Sequence, residues 1–120
     1  MLTPKMLQER TRLFAISIFR LIDSLPRRKS SHIIGNQLGR CASSVAANYR
    51  AACRARSHAE FAYKLGIVEE EADESVFWLN MISETTCIES EKIAPLFREA
   101  NELTAIFTSA HKTAKTNKSK

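Results

Sequence analysis

Glycine and proline are scarce in this chain, three of each in 120 residues. A sheet protein of this length needs frequent turns, and turns draw on those two residues. Their scarcity points to long helices joined by short connections. Cysteine is also sparse, and odd in number. Cys41, Cys53 and Cys87 form no C-x-x-C pair for zinc or redox work and cannot close a disulfide framework among themselves. They read as free thiols that behave as small hydrophobes. No run of about 18 uncharged apolar residues exists, so no membrane-spanning helix is expected. "LFAISIF" is short, is flanked by Arg12 and Arg20, and precedes no small-residue cleavage site. The expected location is the cytoplasm, away from any membrane.

Catalytic signatures are missing as well. There is no H-x-x-x-H, no Gly-rich phosphate loop and no G-x-S-x-G. His32, His58 and His111 stand apart, and none follows a glutamate at the third position. That excludes the Glu-x-x-His signature of di-iron bundles. The acidic run Glu69 to Glu74, "EEEADE", splays its carboxylates at 100° per residue around a helix. It reads as a solvated face rather than a metal site. No catalytic residue, metal ligand or cofactor is assigned, and the chain is expected not to be an enzyme.

What is present is amphipathic periodicity. Apolar residues make up 44% and charged residues 26%, the balance of a soluble domain with one core. Thr3 and Pro4 open a first helix as N-cap and first helical residue. Leu7, Phe14, Ile18, Leu21 and Leu25 form its stripe, which "SLPRRKSS" interrupts at Pro26. A second helix, capped by Ser30 or Ser31, carries Ile34, Leu38, Cys41, Val45, Tyr49 and Ala52. Its neighbours are small (Gly35, Gly39, Ala42, Ser43, Ala46, Ala47). Each glycine weakens a helix by roughly 1 kcal/mol relative to alanine, so both imply close approach of another backbone. Ser57-x-x-Glu60 is a capping box for a third helix with the stripe Phe61, Leu65, Val68, Ala72, Val76, Leu79 and Ile82. Ser90 caps a fourth, with Pro95 near the end of its first turn and the stripe Ile93, Leu96, Phe97, Ala100, Leu103, Phe107 and Ala110. The fold class is all-α, an antiparallel up-down-up-down four-helix bundle. Residues 1–112 form the domain, and the lysine-rich end, 113–120, reads as a disordered basic tail.

Two surfaces stand out. Tyr63, Ile67, Phe77, Trp78 and Met81 lie on the side of the third helix opposite its core stripe, together with Glu70 and Glu74. They suit an oligomer interface in which the two acids meet arginines of a neighbouring copy; the alternative is scattered exposed apolar residues. The second surface is basic. Residues 1–56 hold 11 Lys/Arg against Glu9 and Asp23, a net of +9, whereas residues 57–120 hold 7 against 11 acids, a net of −4. Asn36, Arg40, Arg50 and Arg54 share an arc of about 80° if the second helix reaches Arg54. Arg27, Arg28 and Lys29 precede that strip, and Arg56 and His58 follow it. Arginine's planar fork matches phosphate, which makes Arg27, Arg28, Lys29, Arg40, Arg50, Arg54 and Arg56 candidate nucleic-acid contacts. Pairing with the acids of the third helix is the other reading, and the two remain open at this point.

"IGNQLGRCASSVAANYRAACRARSHAEFAYKLGIVEEEADESVFWL" resembles the bacterial four-helix bundle family encoded in intervening sequences of 23S ribosomal RNA genes. The shared pattern is Gln37-Leu38-x-Arg40, then Ser44-Val45-x-Ala47-Asn48, then an acidic-apolar third helix; it spans about residues 10 to 110. After Ala47-Asn48 this chain reads Tyr49-Arg50-Ala51-Ala52 where the commoner version reads "A-N-I-A-E-G". The resemblance implies a subunit that assembles into a homopentameric barrel. It also implies kinship with the accessory protein of diversity-generating retroelements, whose basic barrel binds nucleic acid and a reverse transcriptase. The partners so implied are further copies of the chain, RNA or DNA, and a reverse transcriptase or other protein. The alternative function is a scaffold or accessory subunit without direct nucleic-acid contact. Arg40 and Asn48 match the family motif; Arg50, Arg54 and Arg56 enter from charge and helical phase alone.

Overall fold

The computed structural model describes residues 1–86 and 88–117. Cys87 and residues 118–120 of the expected tail lie outside the described residues. Four helices follow in order: α1 (Pro4–Asp23), α2 (Lys29–Ala52), α3 (His58–Thr85) and α4 (Ser90–Thr116). They stack antiparallel into a bundle about 50 × 27 × 19 Å in extent. α2 packs along α3 and α3 along α4, while α1 rests mainly on α2 and touches α4 less extensively.

The apolar stripes meet as their spacing requires. Ile18, Leu38, Val45, Val68, Leu79, Leu103 and Phe107 are fully buried, and Tyr49 packs its ring 5.2 Å from that of Phe107. All six stripe residues of α2 are buried. Gly39 shows why α2 stays slim on the α1 side. A Cβ there would sit 3.2 Å from Phe19 Cε1 and 3.3 Å from Ile22 Cδ1, so a larger residue would push α1 away. At Gly66 the His111 ring of α4 takes the same kind of space, 3.1 Å from where a Cβ would lie.

The helix ends differ in how they are capped. Thr3 Oγ1 accepts the Met6 N–H, and Ser57 Oγ accepts that of Glu60, both at 3.1 Å. The return bond of the capping box shifts by one residue, because the Glu60 carboxylate accepts the N–H of Arg56. Neither Ser30 nor Ser31 caps α2. The helix starts one residue ahead of them, with Arg28 in the extended N-cap position and no side-chain cap. Ser90 likewise lies inside α4, whose N-cap is Glu89. Pro95 stands within the helix on its solvent side. Residues 113–116 of the expected tail are helical. α4 runs to Thr116 with Ala114 4% exposed, because that alanine continues the core stripe one turn past Ala110.

Candidate functional site

α2 carries three of the seven candidate cations and the turns at its two ends carry the rest, which divides them into three groups. Lys29 starts the helix and Arg50 lies in its last turn. At 1.5 Å per residue they are about 32 Å apart. Arg27, Arg28 and Lys29 therefore sit at one end of the bundle, and Arg50, Arg54 and Arg56 at the other. The expected continuous strip is two clusters. Arg54 and Arg56 also leave the helical phase, since α2 ends at Ala52 and both belong to the turn into α3.

Between the clusters stands Arg40, which its own chain consumes. Its Nη1 donates to both oxygens of Glu71 at 3.0 and 3.2 Å, and its Nη2 is ion-paired with Glu74. Glu74 Oε2 also accepts from the Cys41 thiol at 3.1 Å and the Trp78 indole N–H at 3.2 Å. Those bonds, the thiol's first, hold the Glu74 carboxyl below its ordinary range. Burial, reinforced by the neighbouring carboxylate, pushes the Cys41 thiol up. Cys41, Glu71 and Glu74 each bring a ligand atom within 4.8 Å of the others. The positive charge at this point is the Arg40 guanidinium, which already bonds Glu71 and Glu74 and lies 3.1 Å from Cys41 Sγ. The arrangement is a clamp of α2 to α3. Arg10 makes an equivalent one from α1 to α4, donating to Glu99 at 2.6 and 2.7 Å and to Glu102 at 2.8 Å.

Glu74 thus meets Arg40 of its own chain, the other pairing that the sequence left open for these arginines. Asn48, the second motif residue, donates to Ser44 Oγ at 2.8 Å on its own helix. Of the proposed interface on α3, Tyr63 is 68% and Phe77 52% exposed, and Glu70 is exposed. Ile67, Trp78 and Met81 are half-buried. Phe77 meets Trp78 edge-on at 4.9 Å, so the patch is a pair of outward aromatics on a partly buried base.

The α2–α3 corner is different. Arg50, Arg54 and Arg56 are exposed, and none forms an ion pair among the described residues. A basic residue in the last turn of α2 complements the negative end of the helix dipole, which explains one arginine there but not three. His58 donates through Nε2 to the Ala114 carbonyl at 2.8 Å, which brings the end of α4, with Lys112 and Lys115, to the same corner. On the other side, Arg50 shares a groove between α1 and α2 with Lys5 and Arg12. Its floor is Ala15, Ile16, Phe19, Ala46 and Ala47, and it encloses about 640 Å³. The groove was not anticipated. Its only signal was the small residues of α2 on the side where Phe19 leaves α1.

The sequence pattern of a known family, described as "23S rRNA-intervening sequence protein", matches residues 6–109. A crystal structure of a protein of unknown function from the S23 ribosomal protein family, from Bacteroides thetaiotaomicron, superposes with a TM-score of 0.82 at 28% identity. The alignment covers 91% of this chain and 97% of that one. No curated protein matches. Among the described residues, no helix is long and apolar enough to cross a membrane.

Proposed function

The chain belongs to the 23S rRNA-intervening sequence protein family, and on that premise we propose that it is a non-catalytic, oligomeric protein that binds nucleic acid through the basic α2–α3 corner. One observation carries the reading: three arginines stand exposed at that corner and none forms an ion pair among the described residues, whereas Arg10 and Arg40 are spent on glutamates of their own chain. A guanidinium left in water on a rigid scaffold is poised for a phosphate oxygen, and a row of them follows a backbone rather than a base sequence. Lys5, Lys112 and Lys115 widen the positive field around it. The test is a fluorescence anisotropy titration with structured RNA and with duplex DNA. Three phosphate contacts per subunit would weaken binding roughly 40-fold between about 50 and 200 mM salt, with little base preference. Absence of binding at low salt would sink the reading.

A second observation favours self-association. Tyr63 and Phe77 expose large aromatic surfaces from the outward side of α3, and such surfaces on a rigid helix face mark interaction sites. The proposed assembly is a homo-oligomer, with five copies as the number implied by the family resemblance. In the alternative function, this face recruits a nucleic-acid enzyme and the chain acts as its scaffold. Light scattering of the protein before and after Tyr63→Ser with Phe77→Ser separates these readings. A mass of several chains that drops on substitution is the expected outcome, and a single-chain mass in both samples removes the oligomer.

A further inference from the structure

One seam of the bundle is left open on its outer side. Among the described residues α1 packs on α2 and α4 and makes no contact with α3, so no third helix covers the α1–α2 groove. The floor of that groove is small and apolar, with Ala46 and Ala47 from α2 and Ile16 and Phe19 from α1. Phe19 is 47% exposed, and Ala47 is exposed as well. The rim is basic. Lys5 and Arg50 form no ion pair among the described residues, and Arg12 has only its solvated pair with Glu9 at 3.3 Å. An exposed pair of that kind contributes little. Further along the same seam, Arg27, Arg28 and Lys29 border the hollow at the α1–α2 turn.

The outward side of α3 carries the opposite pattern. Tyr63, Glu70, Phe77 and Glu84 recur at intervals of seven, and all four are exposed. Seven residues return a helix to within about 20° of the same direction. The four therefore form one stripe about 32 Å long in which aromatic and acid alternate. Neither Glu70 nor Glu84 forms an ion pair among the described residues. The acids that the bundle uses, Glu69 and Glu71, flank this stripe and pair toward α4 and α2. An apolar groove with basic rims and an aromatic ridge with acids along it are complementary in shape and in charge. Within one chain they face different ways and cannot meet.

We infer that the α1–α2 groove receives the outer stripe of α3 from a second copy of the chain; this rests on the self-association reading above and assigns its two faces. With Phe77 seated on Ala46 and Ala47, Glu70 and Glu84 lie about 10.5 Å to either side. One acid then reaches Lys5, Arg12 and Arg50, and the other the basic α1–α2 turn, whichever way the helix runs. Arg54 and Arg56 lie in the turn beyond the groove and stay open to a ligand. Because groove and stripe are different surfaces, each docked copy leaves one of them free. The contact is head-to-tail, and it propagates until a ring closes.

Light scattering of two variants, alone and mixed, tests the pairing. Ala47→Glu blocks the groove and Phe77→Glu blocks the stripe. Both positions are exposed, so helicity and thermal midpoint stay near those of the parent protein. Each variant alone is expected at the mass of one chain. An equimolar mixture is expected at the mass of two, because the intact groove of the Phe77→Glu protein meets the intact stripe of the Ala47→Glu protein and growth stops there. Arg12→Glu with Lys5→Glu, on the exposed rim, takes the place of Ala47→Glu if that variant loses helicity. A mixture that stays at one chain overturns the proposal. So does a parent-like mass for Ala47→Glu beside a single chain for Phe77→Glu, since the stripe then docks elsewhere while the self-association reading stands. A parent protein at the mass of one chain removes both.

Discussion

Arg40 and Arg50 lie ten residues apart on the exposed side of one helix, yet one is consumed and the other is open. Arg40 reaches Glu71 and Glu74 on α3. Arg50 leans the other way, over the groove against α1, where Glu9 is bonded to Arg12. Ten residues at 100° place them about 80° apart around the axis, which decides which neighbouring helix each meets. α3 is the acidic helix and α1 the basic one, so the same residue type becomes a structural clamp on one flank and a free cation on the other. Net charge does not say how many charges are available to a ligand. The neighbour on each flank does.

The sharpest way to break this contrast is to remove the open set. Arg50→Ala with Arg54→Ala and Arg56→Ala should lower nucleic-acid affinity on the order of 100-fold at low salt and flatten the salt slope by about three contacts per subunit. The thermal midpoint should stay near that of the parent protein, because none of the three is paired in the fold. An unchanged slope would move the nucleic-acid surface elsewhere, with the α1–α2 turn as the next region to examine.

Removing the paired set should do the opposite. Arg10→Ala leaves Glu99 and Glu102 facing each other at the α1–α4 seam, where the side chains of Arg10 and Glu99 are only about a quarter exposed. A loss of about 2 kcal/mol in urea unfolding is expected. Arg40→Ala costs less, about 1 kcal/mol, since half of that side chain is in water and solvent screens its pairs. Both variants should bind RNA within about twofold of the parent protein, since a lost clamp leaves the open arginines in place. If Arg40→Ala weakened binding as much as the corner substitutions, the clamp would be a ligand contact and the contrast would collapse.

The fold was legible because stripes such as Ile34–Leu38–Cys41–Val45–Tyr49 need only their own helix to be read. Gly39 announced a close approach, but what lies against it is the side chains of Phe19 and Ile22 rather than another backbone. The site was less legible for a definite reason. Helical phase gives the direction of a side chain, whereas its availability depends on which helix lies in that direction. Phase therefore placed Arg40 and Arg50 in one strip while packing separated them. Glu74 was read as reaching outward for the same reason, and its bonds to Cys41 and Trp78 required knowing how α2 and α3 align. Ser31 was mistaken for a cap because a serine before an apolar stripe looks the same whether it caps the helix or lies buried in its first turn.

The smallest effect comes from a pair that lies between the two classes. His111 donates through Nδ1 to Glu69 at 2.7 Å, and Thr108 donates to the other carboxylate oxygen at 2.9 Å, which ties α4 to α3. The His111 bond, ahead of the bond from Thr108, holds the Glu69 carboxyl below its ordinary range. A carboxyl lowered in the folded state adds stability that is present above its unfolded value, near 4.3, and is lost as pH falls through the folded one. Glu69→Gln should therefore lower the thermal midpoint slightly at pH 6 to 7, with the gap to the parent protein closing as pH falls below the ordinary carboxylate range. Glu74 is lowered as well, so the parent curve alone mixes two groups, and the difference between the two proteins isolates Glu69. A gap that stayed constant across that range would mean Glu69 acts through packing rather than charge. It would then belong with the buried contacts, leaving Arg10 and Arg40 as the electrostatic ties of the bundle.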